Sequence, residues 1–176
     1  MKQKSLVIYH SLYGASREYA EASALTLQCT AVSLAKVKRT DLDRVDYILY
    51  FSGVYISKIR GLKQLLKTIK NHRFKRIDVC AVGLSNEHEN THTHLQSHNP
   101  ILQDITPLGF HYLPGNFDVS SMRLHHRILM RILRFTLSKN QNLTEEEAGL
   151  LKAIKQPTQG VNLNKIKPII EPRISI

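Results

Sequence analysis

Five short apolar segments recur along this chain of 176 residues, and they limit the folds that it can form. The third contains Tyr47-Ile48-Leu49-Tyr50-Phe51, in which every side chain is apolar or aromatic, so both of its faces must be buried. Strands of this kind are typical of parallel sheets covered by helices on both faces. The segments are Ser5–His10, Thr30–Leu34, Tyr47–Ser52, Asp78–Gly83 and Leu108–Leu113. Because helical patterns or loops separate them, the sequence predicts an α/β fold with a doubly wound, five-stranded parallel sheet in the order 2-1-3-4-5.

Helical patterns lie between these strands and after the last one. They cover Ser16–Leu27, Gly61–Lys70, Ser120–Leu137 and a segment that starts at Thr144. From Gln156 onward the chain contains three of its six prolines and little periodicity. We therefore expect one domain over residues 1–155, with an extended C-terminal tail over residues 156–176 that packs on it through Ile166, Ile169 and Ile170.

The first strand ends in a loop of small and polar residues, and a helix starts at once. The loop is Ser11-Leu12-Tyr13-Gly14-Ala15-Ser16. The first N–H groups of a helix lack partners and carry partial positive charge, so an anion at this loop meets donors and a favourable field. Gly14 allows close approach or a positive φ, and Ser11 and Ser16 add hydroxyl donors. The pattern indicates an anion site, with an ordinary serine-capped turn as the alternative.

Two further loops follow strands that end at the same edge of the predicted sheet, where α/β proteins bind their ligands. They contain Ser52, Gly53, Val54 and Tyr55 after the third strand, and Gly83, Leu84, Ser85 and Asn86 after the fourth. Val54 and Tyr55 can flank a flat ring, while Ser52 and Gly53 can hydrogen-bond its edge. The loop of Gly83, Leu84, Ser85 and Asn86 offers exposed backbone and small polar side chains on the opposite side of the ring.

Basic residues outnumber acidic ones, and the formal net charge is +11. No acidic residue occurs between Asp118 and Glu145, where the basic residues are Arg123, Arg127, Arg131, Arg134 and Lys139. Such a field favours an anionic partner, such as an acidic protein, an anionic lipid or a carboxylated small molecule. Nucleic acid is not expected, because the basic residues are not interleaved with stacking aromatic residues and the chain has no Trp.

The predicted helix Ser120–Leu137 has more apolar surface than it needs to cover one face of a sheet. Its four arginines lie at i, i+4, i+8 and i+11, which places them on one stripe. Two interpretations follow. The favoured one buries the excess apolar surface under the C-terminal tail, and the other directs it to a partner, an apolar substrate or a membrane surface.

The first loop, Ser11-x-x-Gly14-x-Ser16, resembles the FMN phosphate loop of the flavodoxin family. With all three loops placed, the chain resembles flavodoxin-domain proteins from Lys4 to about Arg134, and within them the branch of menaquinone-dependent protoporphyrinogen oxidase. The segments Gly109–Asp118 and Met122–Arg131 carry the likeness to that branch. The Ala15-Ser16 pair and the strongly basic composition depart from the flavodoxin pattern.

The resemblance implies a flavodoxin-like fold that binds FMN noncovalently through the three loops. It also implies an oxidoreductase that passes electrons from an organic substrate through FMN to a quinone or other acceptor, with protoporphyrinogen as the branch's characterised substrate. Two alternatives stay open: an electron-transfer module for an acidic redox partner, and a non-redox binding protein that kept the fold.

Other sequence features limit the remaining functions. No residue is singled out as a catalytic acid or base, and no metal site is predicted, because the pairs His88/His92 and His94/His98 lack further ligands. The two cysteines are expected to be buried thiols, and neither a signal peptide nor an apolar run of membrane-spanning length is expected. These features favour a cytoplasmic location, with peripheral contact to the inner face of the membrane through Ser120–Leu137 as an extension.

Overall fold

A computed structural model describes residues 4–84, 90–116, 118–140, 142–143 and 145–174. Its strands are β1 (Ser5–His10), β2 (Ala31–Ser33), β3 (Tyr47–Tyr55), β4 (Lys58–Ile59), β5 (Arg76–Gly83) and β6 (Leu108–Pro114). Five of them are parallel and lie in the order β2-β1-β3-β5-β6. The predicted order 2-1-3-4-5 of the parallel strands is therefore confirmed.

The strand β4 was not predicted, and it makes the sheet six-stranded. β3 continues past Ser52 to Tyr55 and turns back, so that Val54 and Tyr55 pair with β4 in antiparallel fashion. The two turn residues, Ile56 and Ser57, have φ values of 47° and 57°. Positive φ at both central positions is the geometry of a type I′ hairpin turn, which Asn-Gly usually forms. An Ile-Ser pair gives no such signal in the sequence.

Helices cover both faces of the sheet, and successive residues of β1 show the alternation. Leu6 and Ile8 join the core under α2 (Leu62–Ile69) and α3 (Thr91–His98). Val7 points to the opposite core, under α1 (Ala15–Thr26) and α6 (Lys167–Ile174). In this second core the rings of Tyr19 and Phe51 stack with centroids 6.2 Å apart. The central strands are therefore buried on both sides, as their continuous apolar sequence requires.

The C-terminal tail is helical over residues 163–174, where the sequence favoured an extended segment. A short 3-10 turn at Leu163–Ile166 leads into α6, and Pro168 lies at its second position, where a missing N–H costs no helical hydrogen bond. Ile166, Ile169 and Ile170 are buried in the core that contains Val7. The tail therefore packs on the α1 side of the sheet.

The helix α4 (Leu124–Lys139) follows a 3-10 turn at Val119–Ser121 and packs on α5 (Glu145–Lys155). The favoured prediction that the tail buries its apolar surface is wrong, because α6 packs in the core that contains Val7 and the apolar side chains of α4 stay exposed. Leu124 and Phe135 remain 70% and 63% exposed. No helix within the described ranges is long and apolar enough to cross a membrane.

A buried carboxylate, Asp78, fixes β5 to its neighbours. Its side chain accepts hydrogen bonds from the Tyr47 hydroxyl (2.6 Å), the Arg76 Nε (2.9 Å) and the His111 Nε2 (3.3 Å). Burial alone would raise the pKa of Asp78. The hydrogen bonds from His111, Tyr47 and Arg76 outweigh it and lower that pKa to about 2. The carboxylate is therefore charged in the folded protein and stabilises it.

We expect Asp78→Asn to lower the free energy of unfolding at neutral pH by about 2 kcal/mol. The pKa of Asp78 is lower in the folded protein than its ordinary 3.8, so its stabilising contribution is complete above that pH. It is lost as the pH falls through about 2. Urea unfolding followed by circular dichroism over this pH range measures both effects.

Asp43→Asn is the matched control, because it neutralises an exposed carboxylate. It should change the free energy of unfolding by less than about 0.5 kcal/mol. An Asp78→Asn variant that kept the full acid dependence of the wild type would contradict the assignment.

Candidate functional site

Gly14 is the N-cap of α1, and its conformation shapes the first loop. Its φ is 100°, no side chain caps the helix, and a Cβ added at Gly14 would meet no atom within 4 Å. The Gly14 N–H donates to Ser11 Oγ (3.1 Å), and the Gly14 carbonyl accepts from the Glu18 N–H (2.9 Å). The backbone therefore requires glycine here, and open space remains in front of the helix N-terminus.

The other residues of the first loop differ in exposure. Leu12 and Ala15 are half-buried, Tyr13 is exposed, and Ser16 is buried. A Cβ added at Gly53 would lie 3.9 Å from Ser16 Oγ, so the first loop touches the end of β3. The acidic Glu18 in the first turn of α1 opposes part of the positive field there.

The second group of predicted residues divides into buried and exposed members. The Ser52 hydroxyl is buried and donates to the Arg60 carbonyl (2.7 Å), which also accepts from the Tyr50 hydroxyl (2.7 Å). Ser52 thus uses its proton to hold the β3–β4 hairpin. Val54 packs against the first core, whereas Tyr55 is exposed. The Arg60 guanidinium lies 5.9 Å from the centre of the Tyr55 ring.

The third group is described only in part. Gly83 ends β5 and is buried, and a Cβ there would overlap the Tyr112 ring. The Gly83 carbonyl accepts from the Gly115 N–H (2.6 Å), which joins the ends of β5 and β6. Leu84 is 47% exposed. The predicted contacts of Ser85 and Asn86 lie outside the described residues.

The first turn of α4 adds His126 to this edge of the sheet, a residue that the sequence did not single out. The Tyr13 hydroxyl is hydrogen-bonded to His126 Nδ1, and the Tyr55 and His126 rings have centroids 5.5 Å apart. Desolvation lowers the pKa of His126, and the positive charges of His125, Arg60 and Arg123 lower it further. Only the His125-His126 pair at the start of the arginine-striped segment marks it in the sequence.

The loop after β6 and the C-terminal tail form a support behind the first loop. A Cβ added at Gly115 would lie 3.8 Å from the Ala15 Cβ. Asn116 Oδ1 accepts from the N–H groups of Gly160 and Val161, both at 3.0 Å. The sequence pattern around Gly160 indicated only a tail, so these contacts were not predicted.

These residues fit a flat ring that carries a phosphate group. The open space before α1 and the Gly14 backbone suit an anion, and Tyr13, Tyr55 and His126 supply aromatic faces nearby. Arg60 adds positive charge at the same edge. Within the described part of the chain, no three His, Cys, Asp or Glu side chains gather as a metal site.

Comparisons with solved structures give distant likenesses. A flavoprotein in complex with FMN from Lactobacillus acidophilus NCFM is 16% identical over 64% of this chain and 92% of its own, with a TM-score of 0.48. A flavodoxin from the domain Archaea is 15% identical over 88% of this chain and 100% of its own, with a TM-score of 0.44. An azoreductase from Bacillus anthracis str. Sterne is 11% identical over 87% and 97% of the two chains, with a TM-score of 0.45. No curated protein matches the chain.

The assignment therefore rests on the family model described as Flavodoxin domain, which matches residues 6–144 and so includes all three loops. FMN is the cofactor, as the sequence of the first loop predicts. The chain belongs to the flavodoxin domain family.

Proposed function

We propose that this protein is an FMN-dependent oxidoreductase that passes electrons from an organic substrate to a quinone or other acceptor. The cluster of Tyr13, Tyr55, His126 and Arg60 carries the proposal, because it brings aromatic faces and positive charge to the edge that holds the three loops. Bound FMN supplies the redox chemistry, and this chain supplies binding, orientation and electrostatics.

Each part of the site has a distinct role in this proposal. Ser11, Gly14 and the N-terminus of α1 hold the phosphate, while Tyr55 and His126, whose rings contact each other, line one side of the flavin ring. The hydrogen bonds from Tyr50 and Ser52 fix the backbone of Arg60, which keeps its guanidinium beside Tyr55. Desolvation and positive neighbours lower the pKa of His126, which favours its neutral form at pH 7. Its Nδ1 forms a hydrogen bond with the Tyr13 hydroxyl.

The specific form of the proposal is a protoporphyrinogen oxidase-like reaction. It is supported by the resemblance of Gly109–Asp118 and Met122–Arg131 to that branch, and by the positive charge around the site. Arg60 and Arg123 both lie close enough to His126 to lower its pKa, so they can face the carboxylates of an anionic substrate. The net charge of +11 also suits an acidic redox partner, which makes an electron-transfer module the competing function.

We expect Gly14→Ala to weaken FMN binding about tenfold, because a φ of 100° is strained for any residue with a Cβ. Quenching of flavin fluorescence by the titrated apoprotein measures the dissociation constant. Thr26→Ala, an exposed position at the other end of α1, is the matched control and should leave affinity unchanged. If Gly14→Ala binds FMN like the wild type, the first loop is not the phosphate site. An apoprotein that does not bind excess FMN contradicts the whole proposal.

We expect His126→Ala to shift the visible absorption maximum of the bound flavin and to weaken FMN binding roughly fivefold, since it removes a ring beside Tyr55. His125→Ala is the control, because the same side chain is lost from the adjacent, exposed position. Equal effects of the two substitutions would show that His126 does not line the site.

The reaction itself is tested by incubating the flavin-loaded protein with a porphyrinogen and a soluble menaquinone analogue under anaerobic conditions. We expect multiple turnovers, and we expect Arg60→Gln to raise KM for the carboxylated substrate about tenfold with little change in kcat. Arg73→Gln, which removes an exposed arginine, should leave both constants unchanged. A flavoprotein that exchanges electrons with a protein partner but gives no turnover with these small molecules would be an electron-transfer module instead.

A further inference from the structure

The outer surface of α4 is apolar, although nothing in the described structure covers it. Leu124, Ile128, Ile132 and Phe135 are all exposed. The inward side of the same helix carries His126, Met130, Leu133 and Leu137, which are half-buried or buried. The helix therefore has a separate face toward the protein, and it also packs on α5.

The exposed apolar residues form a stripe that runs beside the arginine stripe. Each arginine immediately precedes one member of the apolar stripe, in the pairs Arg123-Leu124, Arg127-Ile128, Arg131-Ile132 and Arg134-Phe135. Both stripes thus share the spacing i, i+4, i+8 and i+11, and all four arginines are exposed. At about 1.5 Å per residue, each stripe covers roughly 17 Å of the helix axis, and the two stripes lie side by side.

The charge of this surface selects an anionic partner. No acidic residue occurs between Asp118 and Glu145, and Lys139 adds a further positive charge, with its Nζ 4.1 Å from the centre of the Phe135 ring. A protein partner would need a groove and a row of carboxylates with matching spacing. An anionic bilayer has a plane of lipid phosphates next to an apolar layer of acyl chains. Both are continuous, so the arginine stripe and the apolar stripe can bind them without any matched spacing of partner groups.

We propose that α4 is a peripheral membrane-binding helix that lies in the surface of an anionic phospholipid bilayer. The stripe of Leu124, Ile128, Ile132 and Phe135 enters the boundary with the acyl chains, and the arginines bind lipid phosphates. His126, on the inward side of the first turn of α4, contacts Tyr13 and Tyr55, so α4 lies between the bound membrane and the candidate flavin site. Access of that site to a quinone dissolved in the bilayer rests on the proposed function, whereas the lipid contact does not.

The test is co-sedimentation of the full chain with vesicles of phosphatidylcholine, alone or with roughly one-third phosphatidylglycerol. We expect binding to the anionic vesicles that weakens with salt, and little binding to the neutral ones. Arg127→Gln/Arg131→Gln should weaken binding to anionic vesicles about 25-fold, at roughly fivefold per charge. Lys63→Gln/Lys67→Gln, which removes two exposed charges from α2, is the matched control and should have much less effect.

The apolar stripe is tested separately with Ile132→Gln/Phe135→Gln, which should weaken vesicle binding at least about tenfold. Leu25→Gln/Leu163→Gln removes two exposed apolar side chains from other surfaces and should bind like the wild type. Thermal unfolding monitored by circular dichroism shows that each variant remains folded. All four substituted side chains are exposed, two on α4 and two in the control, so their replacement should leave the melting temperature nearly unchanged.

Three results would overturn the inference: no binding to anionic vesicles, equal binding by the α4 and control variants, or self-association through α4 without lipid binding. Analytical ultracentrifugation of the wild type and Ile132→Gln/Phe135→Gln detects the last of these. The assay requires no turnover, so its failure and that of the proposed function are distinguishable. A protein that binds FMN and turns over substrate but ignores vesicles contradicts only the membrane inference, and one that binds vesicles without turnover contradicts only the reaction.

Discussion

The parallel register of the central strands determines where everything else in this protein lies. His10 pairs with Ser52, Gly53 with Val82, and Gly83 with Pro114, so β1, β3, β5 and β6 end at nearly the same level. Parallel strands buried on both faces have little freedom to slip, because a shift by one residue would exchange the two cores. The buried Asp78 adds directional hydrogen bonds to this non-directional packing. As a result, loops that are distant in sequence meet at one edge.

The features that could be predicted are those in which each residue's chemistry decides its local structure. Tyr47–Phe51 is continuously apolar and became a fully buried strand, and Gly14 stands at the positive φ that its loop needs. The hairpin at Ile56 and Ser57 could not be predicted, since tertiary contacts hold two residues in a conformation that their side chains disfavour. Ser57 is held in part by a hydrogen bond to His94 (2.9 Å).

Long-range placement was the other limit of the sequence. Residues 156–176 lack a clear period, yet residues 163–174 form helical turns, because an apolar surface on the α1 side receives three isoleucines. Because α6 packs there, the described part of the tail leaves Leu124 and Phe135 of α4 exposed. His126 shows the same limit within the site, because its importance comes from Tyr13 and Tyr55, which are far away in sequence. Neither hydrophobic periodicity nor the spacing of residues in the sequence predicts a contact between residues so far apart along the chain.

The close contact between Gly115 and Gly160 has a consequence for the thermodynamics of the site. A Cβ at Gly160 would overlap the Gly115 carbonyl, and the tail is also joined to α1 by the hydrogen bond from the Asn162 N–H to the Tyr19 hydroxyl (2.8 Å). Because Gly115 in turn lies against Ala15, the last turns of the chain and the N-terminus of α1 share one packed unit. We therefore expect a docked tail and a cofactor bound at the first loop to stabilise each other, because a coupling free energy between two sites acts in both directions.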